Sequence, residues 1–154
     1  MKIGFGYDIH RFVKGKPFVL GGVKIPFDRG MLAHSDGDVL LHAVCDSLLG
    51  AAGLGDIGKH FPPSDKKFKN ISSLELLRTV CGMLRKSGYK IVNIDTMIVA
   101  KQPKISPHAE KMAAAISKVI KTKNISIKAT TNEGVGDIGK GKAICAYAMC
   151  LLKK

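Results

Sequence analysis

The sequence predicts an α/β or α+β fold in which a mixed β-sheet is covered by helices. Segments rich in β-branched residues alternate along the chain with segments whose apolar residues recur at helical spacing. The length of 154 residues, with 45% hydrophobic composition, is sufficient for one buried core. We therefore expect a single domain over residues 1–154.

The order of the elements follows from composition and from turn and capping signals. The predicted strands are Ile3–His10, a hairpin of Phe18–Leu20 and Val23–Ile25 with a primed turn at Gly21-Gly22, then Tyr89–Ala100 and Ile125–Thr130. The predicted helices are Asp38–Leu49 after a start signal at Ser35 and Asp36, a helix from the capping box Ser72/Glu75 to Gly88, a helix from Ser106-Pro107 to about Lys121, and Ala143–Leu152.

The last predicted helix, Ala143–Leu152, is apolar almost all round. Such a helix must be buried on every side, which fits poorly at the rim of a small monomer. Burial in a central core and burial against other subunits explain this pattern equally well.

The net charge of +13 and a pI of about 9.7 are compatible with nucleic acid, an anionic membrane or small phosphorylated ligands. The lysines are scattered, Trp is absent, and no nucleic-acid-binding signature is present, so most of the charge predicts solvated faces. The N-terminus has no apolar stretch of signal-peptide length, and the longest apolar run, Ala143–Leu152, is far short of the roughly 20 residues that a membrane span needs. We expect a soluble cytoplasmic protein with neither nucleic-acid nor membrane partners.

The four cysteines lie in apolar stretches without a C-x-x-C pair, and are predicted to be reduced core residues: Cys45, Cys81, Cys145 and Cys150.

Asp8 and His10 stand two residues apart at the end of the first predicted strand, so their side chains leave the same face. On the next helix Asp38, His42 and Asp46 form a polar stripe at i, i+4, i+8 along an otherwise apolar element. Asp8, His10 and His42 would supply three nitrogen and oxygen donors, the number typical of a catalytic zinc site with an open position. Asp46 is a candidate for orienting His42.

Two further segments have residue types that suit phosphate groups. His34 and Ser35 precede the helix, where free backbone amides attract anions, although Ser35 could equally be a plain N-cap. Thr130, Thr131 and Glu133 lead into a glycine-rich basic loop, and the carboxylate suits a hard cation such as Mg²⁺. That loop matches G-x-G-x-x-G, but no second strand is expected to complete a βαβ unit, so dinucleotide binding is rejected.

Four blocks in the right order carry a resemblance to the 2-C-methyl-D-erythritol 2,4-cyclodiphosphate synthase family over nearly the whole chain. They are residues 4–10 (GFGYDIH), 33–43 (AHSDGDVLLHA), 49–59 (LGAAGLGDIGK) and 128–133 (KATTNE). The resemblance implies conversion of 4-diphosphocytidyl-2-C-methyl-D-erythritol 2-phosphate to the cyclic diphosphate and CMP, in non-mevalonate isoprenoid biosynthesis. It also implies a homotrimer with active sites between subunits.

The same resemblance assigns roles to individual residues. Asp8, His10 and His42 match zinc ligands, Glu133 matches the ligand of a second cation, Mg²⁺ or Mn²⁺, and His34 and Thr131 match positions that stabilise the transition state. The substrate-binding positions are Asp8, His10, His34, Ser35, Asp56, Ile57, Gly58, Phe61, Pro62, Pro63, Ser64, Asp65, Ala100, Lys101, Gln102, Pro103, Lys104, Ile105, Ser106, Thr130, Thr131, Asn132, Glu133, Asp137 and Lys140.

The chain departs from the family pattern at four positions. Asn132 stands where a third Thr is usual, Asp137 and Lys140 replace an aromatic residue and Arg, and Tyr147 replaces Glu. Lys lacks the bidentate fork with which Arg holds phosphate. The alternatives are another metal-dependent phosphoryl-transfer or phosphate-hydrolysing enzyme and a basic nucleic-acid-binding module.

Overall fold

The computed structural model describes residues 1–154 and has seven strands and five α-helices. The strands are β1 (Lys2–Lys14), β2 (Phe18–Leu20), β3 (Val23–Ile25), β4 (Arg29–Met31), β5 (Lys90–Val99), β6 (Ile125–Thr130) and β7 (Ala143–Lys153). The helices are α1 (Val39–Ala52), α2 (Ile57–His60), α3 (Ser73–Lys86), α4 (Ala109–Ile120) and α5 (Gly136–Gly139), with 3-10 turns at Lys66–Phe68 and Ser106–His108.

Five strands form one mixed sheet in the order β4-β1-β7-β5-β6, and β2 pairs with β3 as a separate hairpin. The pair β5 and β6 is parallel, whereas the other neighbours are antiparallel. Helix α1 packs on β1 and β7, and α3 and α4 continue the helical layer. The predicted fold class, a mixed sheet covered by helices, is confirmed.

The hairpin and three of the predicted helices are confirmed, with shifts at their ends. Gly21 and Gly22 both have positive φ angles, 58° and 74°, as a primed turn requires. The Ser72 hydroxyl accepts a hydrogen bond from the Leu74 N–H, so α3 begins where the capping signal places it. Helix α1 begins at Val39 with Asp38 as its N-cap, and not at the Ser35/Asp36 signal.

The predicted C-terminal helix is wrong, because residues 143–153 form the strand β7. This strand lies at the centre of the sheet between β1 and β5, so the core covers one of its faces fully and the other in part. Burial alternates from Ala146 onward, with Ala148 and Cys150 buried and Tyr147 and Met149 exposed. The apolar composition therefore reflects a central strand, and burial on every side is no longer a reason to expect oligomerisation.

Strand β1 lies unusually close to α1, and two glycines make this approach possible. A Cβ atom on Gly4 would lie 1.8 Å from the Ser47 carbonyl oxygen, and one on Gly6 would lie 2.0 Å from that of Ala43. Both distances are far below van der Waals contact, so only glycine fits. The close approach brings the middle of β1, with Asp8 and His10, against the first turns of α1.

The face of the sheet away from α1 is apolar and exposed. Its side chains come from alternate positions of β1 and β7: Ile3, Phe5, Tyr7, Ile9, Tyr147 and Met149, which are 38% to 71% exposed. The Tyr7 and Tyr147 rings lie with their centroids 5.0 Å apart. Contiguous exposed apolar surface of this kind marks an interaction site.

None of the helices is both long and apolar enough to span a bilayer. All four cysteines are buried and free, as predicted from the sequence, with Cys45 and Cys81 on helices and Cys145 and Cys150 on β7.

Candidate metal centre and substrate cavity

Three potential metal ligands converge where β1 meets α1. The Asp8 Oδ2 atom lies 2.9 Å from His10 Nε2 and 2.9 Å from His42 Nδ1. The two ring nitrogens are 3.2 Å apart. The structure thus brings together the three residues that the sequence spacing singled out, and each directs one donor atom to a common point.

The donor set and its spacing fit a tetrahedral zinc ion. At ligand distances of about 2.0–2.2 Å, neighbouring donors of a tetrahedral site are about 3.4 Å apart. The observed separations of 2.9 to 3.2 Å need only a small expansion to reach this value. Since three donors converge, a fourth coordination position would remain for a substrate oxygen.

The electrostatics of this cluster keep the Asp8 carboxylate ionised. Burial by itself raises the pKa of Asp8, but hydrogen bonds from His10 and His42 outweigh it and lower this pKa from 3.8 to about 2. Burial opposes charge on His42, whereas the hydrogen bond and negative charge of Asp8 raise its pKa. Asp8 is therefore ionised and available for a cation over the whole physiological pH range.

We expect the metal-free protein to lose stability from Asp8 as the pH falls from about 4 to about 2. The pKa of Asp8 is depressed in the folded state, so its contribution is present above pH 3.8 and is lost as the pH falls through about 2. The urea midpoint of the parent should therefore approach that of Asp8→Asn across this window. A difference between the two midpoints that does not change with pH would contradict this assignment.

A cavity of about 310 Å³ opens beside the three ligands. The predicted site residues that line it are Asp8, His10, His34, Ser35, His42, Ile57, Gly58, Phe61 and Pro63. Five further lining residues were not predicted: Leu32, Ala33, Phe68, Ile71 and Leu76. Leu32 and Ala33 flank His34 in the chain, but nothing in the sequence distinguishes the other three from ordinary core residues.

The loop after α1 borders this cavity with a mixture of lining and outward residues. Asp56 caps α2 by accepting from the Lys59 N–H, and Asp65 caps the following 3-10 turn. Hydrogen bonds from Lys67 lower the pKa of Asp65. Of the predicted residues in this loop, Asp56, Pro62, Ser64 and Asp65 do not line the cavity.

Asp38 does not face the metal ligands but holds the hairpin to α1. Its buried carboxylate accepts hydrogen bonds from the N–H groups of Leu41, Gly21 and Gly22 at 2.7 to 3.1 Å. Burial and the charge of Asp36 raise the pKa of Asp38 to about 6, against the effect of these amides. Asp38 is thus an N-cap that also secures the turn between β2 and β3.

The hypothesis that Asp46 orients His42 is wrong. Asp46 Oδ1 accepts a hydrogen bond from the Ile57 N–H at 2.8 Å, and burial raises its pKa. It therefore holds the start of α2 against α1. The outer nitrogen of His42, Nε2, lies instead 3.1 Å from the hydroxyls of both Ser35 and Ser73. Ser35 is not an N-cap, since Asp38 fills that position.

A second group of predicted residues gathers at the carboxyl ends of the parallel strands β5 and β6. The Ala100 N–H donates to the Thr130 carbonyl at 3.1 Å, which joins the segment 100–106 to the segment 130–133. The Thr131 hydroxyl donates to Glu133 Oε1 at 2.7 Å, and Thr130, Thr131 and Glu133 are exposed. The segment 100–106 is mostly exposed as well, with Ala100 and Ile105 buried.

These two groups do not form one cavity within a chain. Asp8 on β1 pairs with Ala146 on β7, which pairs with Ile98 on β5, which pairs with Ala129 on β6. Asp8 and Ala129 therefore lie in the same row across the sheet. Three strand spacings separate β1 from β6, which corresponds to about 14 Å between the backbones. None of the residues in 100–106 or 130–133 lines the cavity beside the metal ligands.

The glycine-rich loop after Glu133 contains the short helix α5 and is followed by β7. The expected final helix is absent, but the rejection of a dinucleotide-binding unit stands, since β7 is antiparallel to β5 and not adjacent to β6. Asp137 forms an ion pair with Lys142, with 3.3 Å between Oδ1 and Nζ, and Lys140 is exposed.

Comparisons with known proteins agree with this arrangement. The model of the YgbB family matches residues 1–153. A 2-C-methyl-D-erythritol 2,4-cyclodiphosphate synthase of Clostridium botulinum strain Hall is 57% identical over 99% of each chain. A solved 2-C-methyl-D-erythritol 2,4-cyclodiphosphate synthase with bound CDP has a TM-score of 0.90 and 34% identity, covering 99% of this chain and 100% of that one.

A bifunctional enzyme of Campylobacter jejuni has a TM-score of 0.95 and 40% identity. It matches 99% of this chain, which spans 42% of that longer protein. The family match and the near-complete coverage of the Clostridium relative exceed what a shared fold alone would give. This chain belongs to the YgbB family.

Proposed function

We propose that this enzyme converts 4-diphosphocytidyl-2-C-methyl-D-erythritol 2-phosphate to 2-C-methyl-D-erythritol 2,4-cyclodiphosphate and CMP. The observation that carries the proposal is the convergence of Asp8, His10 and His42 beside a cavity that His34 and Ser35 also line. A metal-ligand cluster next to hydroxyl and imidazole donors suits a polyphosphorylated substrate. The net charge of +13 favours the same polyanion.

Asp8, His10 and His42 would hold a zinc ion, and Glu133 would hold a second divalent cation, Mg²⁺ or Mn²⁺. The mixed nitrogen and oxygen donors support zinc, and a single exposed carboxylate supports a hard cation carried largely by phosphate oxygens. When bound, such ions polarise phosphoryl oxygens and neutralise the charge that develops on them.

The reaction is an intramolecular phosphoryl transfer. An oxygen of the 2-phosphate forms a bond to the β-phosphorus, and the bond from that phosphorus to the oxygen bridging the two phosphates breaks. CMP leaves with this bridging oxygen. The nucleophile is already anionic, so no side chain has to remove a proton, and positioning and electrostatics supply the catalysis.

His34 and Thr131 would act on the transition state, and Ser35 on a substrate phosphate. His34 and Ser35 border the cavity beside the metal ligands. Thr131 lies exposed beside Glu133, so one group can donate to a phosphate oxygen while the other holds the second cation. Donors placed where charge develops give the largest catalytic effects of this type.

The two halves of the substrate would occupy different groups of residues. The cavity residues Ile57, Gly58, Phe61 and Pro63 would hold the methylerythritol part, together with Asp56, Pro62, Ser64 and Asp65 of the same loop. The exposed segment 100–106 with Thr130 and Thr131 would hold cytidine. Asn132, Asp137 and Lys140 would contribute around the phosphates, with Lys140 as a single point charge.

A homotrimer would bring these halves together across a subunit boundary. The separation of about 14 Å between the strands β1 and β6 supports a site completed by a neighbouring copy. The exposed apolar face of β1 and β7 supplies a surface on which such copies can associate. The four free cysteines support a reducing, cytoplasmic location.

The direct test is incubation of the purified protein with this substrate and Mg²⁺, with and without a zinc chelator, followed by phosphorus NMR. We expect CMP and the cyclic diphosphate to form together, and to stop forming once zinc is removed. Release of inorganic phosphate would identify a hydrolase in place of a cyclase. Absence of turnover in the zinc-loaded protein would contradict the proposal.

A further inference from the structure

Behind the metal ligands, a chain of hydrogen bonds connects His42 to Asp36 through Ser73. The Ser73 hydroxyl lies 3.1 Å from His42 Nε2 and 2.5 Å from Asp36 Oδ1, and Ser73 is fully buried. The Asp36 carboxylate also accepts from the N–H groups of Ser73 at 2.8 Å and Asp38 at 3.1 Å. Three donors therefore converge on one carboxylate.

The donor and acceptor roles in this chain follow from the chemistry of its ends. A carboxylate can only accept, so the Ser73 hydroxyl must donate its proton to Asp36. The Ser73 oxygen can then only accept from His42, which requires the proton of the imidazole to be on Nε2. The other nitrogen, Nδ1, faces Asp8 and His10, where a bound cation would replace the proton that Nδ1 donates to Asp8 in the metal-free protein.

We propose that Asp36 and Ser73 are positioning residues that fix the ring of His42 with Nε2 protonated and Nδ1 directed at the zinc position. This inference rests on the zinc site proposed above. A histidine ligand whose outer N–H is held by an oxygen acceptor keeps one tautomer and one ring orientation, which strengthens metal binding. Ser73 opens α3, so this helix also controls the geometry of a ligand on α1.

The second hydroxyl near Nε2 has a different role. Ser35 also lies 3.1 Å from His42 Nε2, and its oxygen accepts from the Gly37 N–H at 3.2 Å. Ser35 lines the cavity and has no carboxylate partner, so its proton is free to turn towards a substrate oxygen. The Ser73 hydroxyl already donates its proton to Asp36, whereas the Ser35 hydroxyl can donate to a substrate oxygen.

The test measures metal affinity directly, by competition with a chromophoric chelator for Zn²⁺ and by the visible spectrum of the Co²⁺ form. Ser73→Ala and Asp36→Asn are each expected to weaken Zn²⁺ binding by about 10- to 100-fold and to change the Co²⁺ bands. Asp36→Asn is nearly isosteric, but either orientation of the amide replaces one acceptor by a donor. Asp36→Asn therefore tests the hydrogen-bond chain from His42 through Ser73 to Asp36 even where Ser73→Ala disturbs the packing.

Ser72→Ala is the matched control, because it removes a hydroxyl from the adjacent residue at the start of the same helix. The Ser72 side chain caps the Leu74 N–H and makes no hydrogen bond to His42. We expect this variant to lower the melting temperature while its Zn²⁺ affinity stays within about twofold of the parent. A purely structural role for Ser73 would give the same pattern in both serine variants.

Parent-like Zn²⁺ affinity and Co²⁺ spectrum in Asp36→Asn or Ser73→Ala would overturn the positioning role of Asp36 and Ser73 and leave the zinc site intact. An equal loss of affinity in Ser72→Ala would also overturn it. Failure of the parent to bind either metal, with His42→Ala indistinguishable from it, would overturn the zinc site and this inference together.

Discussion

His42→Ala is expected to abolish stoichiometric zinc binding and to lower the rate of cyclisation by at least about 100-fold, while the chain still folds. Removing even an outer partner of a metal ligand costs about 10- to 100-fold in affinity or activity, and removing the ligand itself costs more. The fold should persist because the core around α1 consists of apolar residues such as Leu41, Val44 and Leu48. His42 contributes little apolar surface to it.

Three measurements check this prediction: elemental mass spectrometry gives the zinc content, CMP release gives the rate of cyclisation, and circular dichroism reports whether the chain folds. His108→Ala is the matched control, since His108 lies in the 3-10 turn before α4 and outside the cluster of ligands. It should retain zinc and activity. Full cyclase activity in zinc-free His42→Ala would exclude a catalytic metal at this site.

The ligand cluster could be predicted because each half of it is local in sequence. Two-residue spacing on a strand fixes Asp8 and His10 on one face, and the helix after it carries His42. The approach of β1 to α1, through Gly4 and Gly6, then brings the halves together. Only this approach of β1 to α1 is a tertiary contact, and the sequence alone does not show that Gly4 and Gly6 are there to allow it.

The C-terminal strand could not be predicted, because a short apolar run has no period that distinguishes a buried strand from a buried helix. Ala, Met and Leu favour helix locally, and the pairing of β7 with both β1 and β5 overrides that preference. Because a helix was predicted there, the exposed apolar face of the sheet was missed as well. The exposed face lies on alternate residues of β1 and β7, which appears only once their register is known.

The partners of His42 were missed for a related reason. Ser73 and Asp36 are 37 residues apart, and the sequence presents Ser73 merely as the residue after an N-cap. The polar stripe suggested Asp46 instead, since helical spacing ranks neighbours on the same element first. Contacts between α1 and α3 determine which residues lie beside His42, and these contacts depend on the packing of the whole helical layer.

If the proposed trimer forms through the exposed face of β1 and β7, the double variant Phe5→Lys with Met149→Glu is expected to dissociate it and to abolish cyclisation while zinc binding is retained. Phe5 and Met149 are directly opposite on β1 and β7, and both are more than half exposed. A lysine and a glutamate at these positions attract each other within one chain, so folding is spared. The same charges would be buried between subunits in the trimer, at a cost that its apolar contacts do not offset.

Sedimentation should then give the 16.5 kDa of a single chain, with parent-like Zn²⁺ affinity because Asp8, His10 and His42 all belong to one chain. Cyclisation should fall at least about 100-fold, since the phosphates would lose the residues around Thr131 and Glu133 that a neighbouring copy would provide in the proposed trimer. Glu75→Lys with Arg78→Glu changes two charges on the exposed side of α3 and serves as the control.

A fully active monomer would place the whole site within one chain, and a persistent trimer would place the interface elsewhere. Zinc binding without turnover in the monomer is the result that separates the two requirements, since His42→Ala removes the metal and this variant removes only the neighbour.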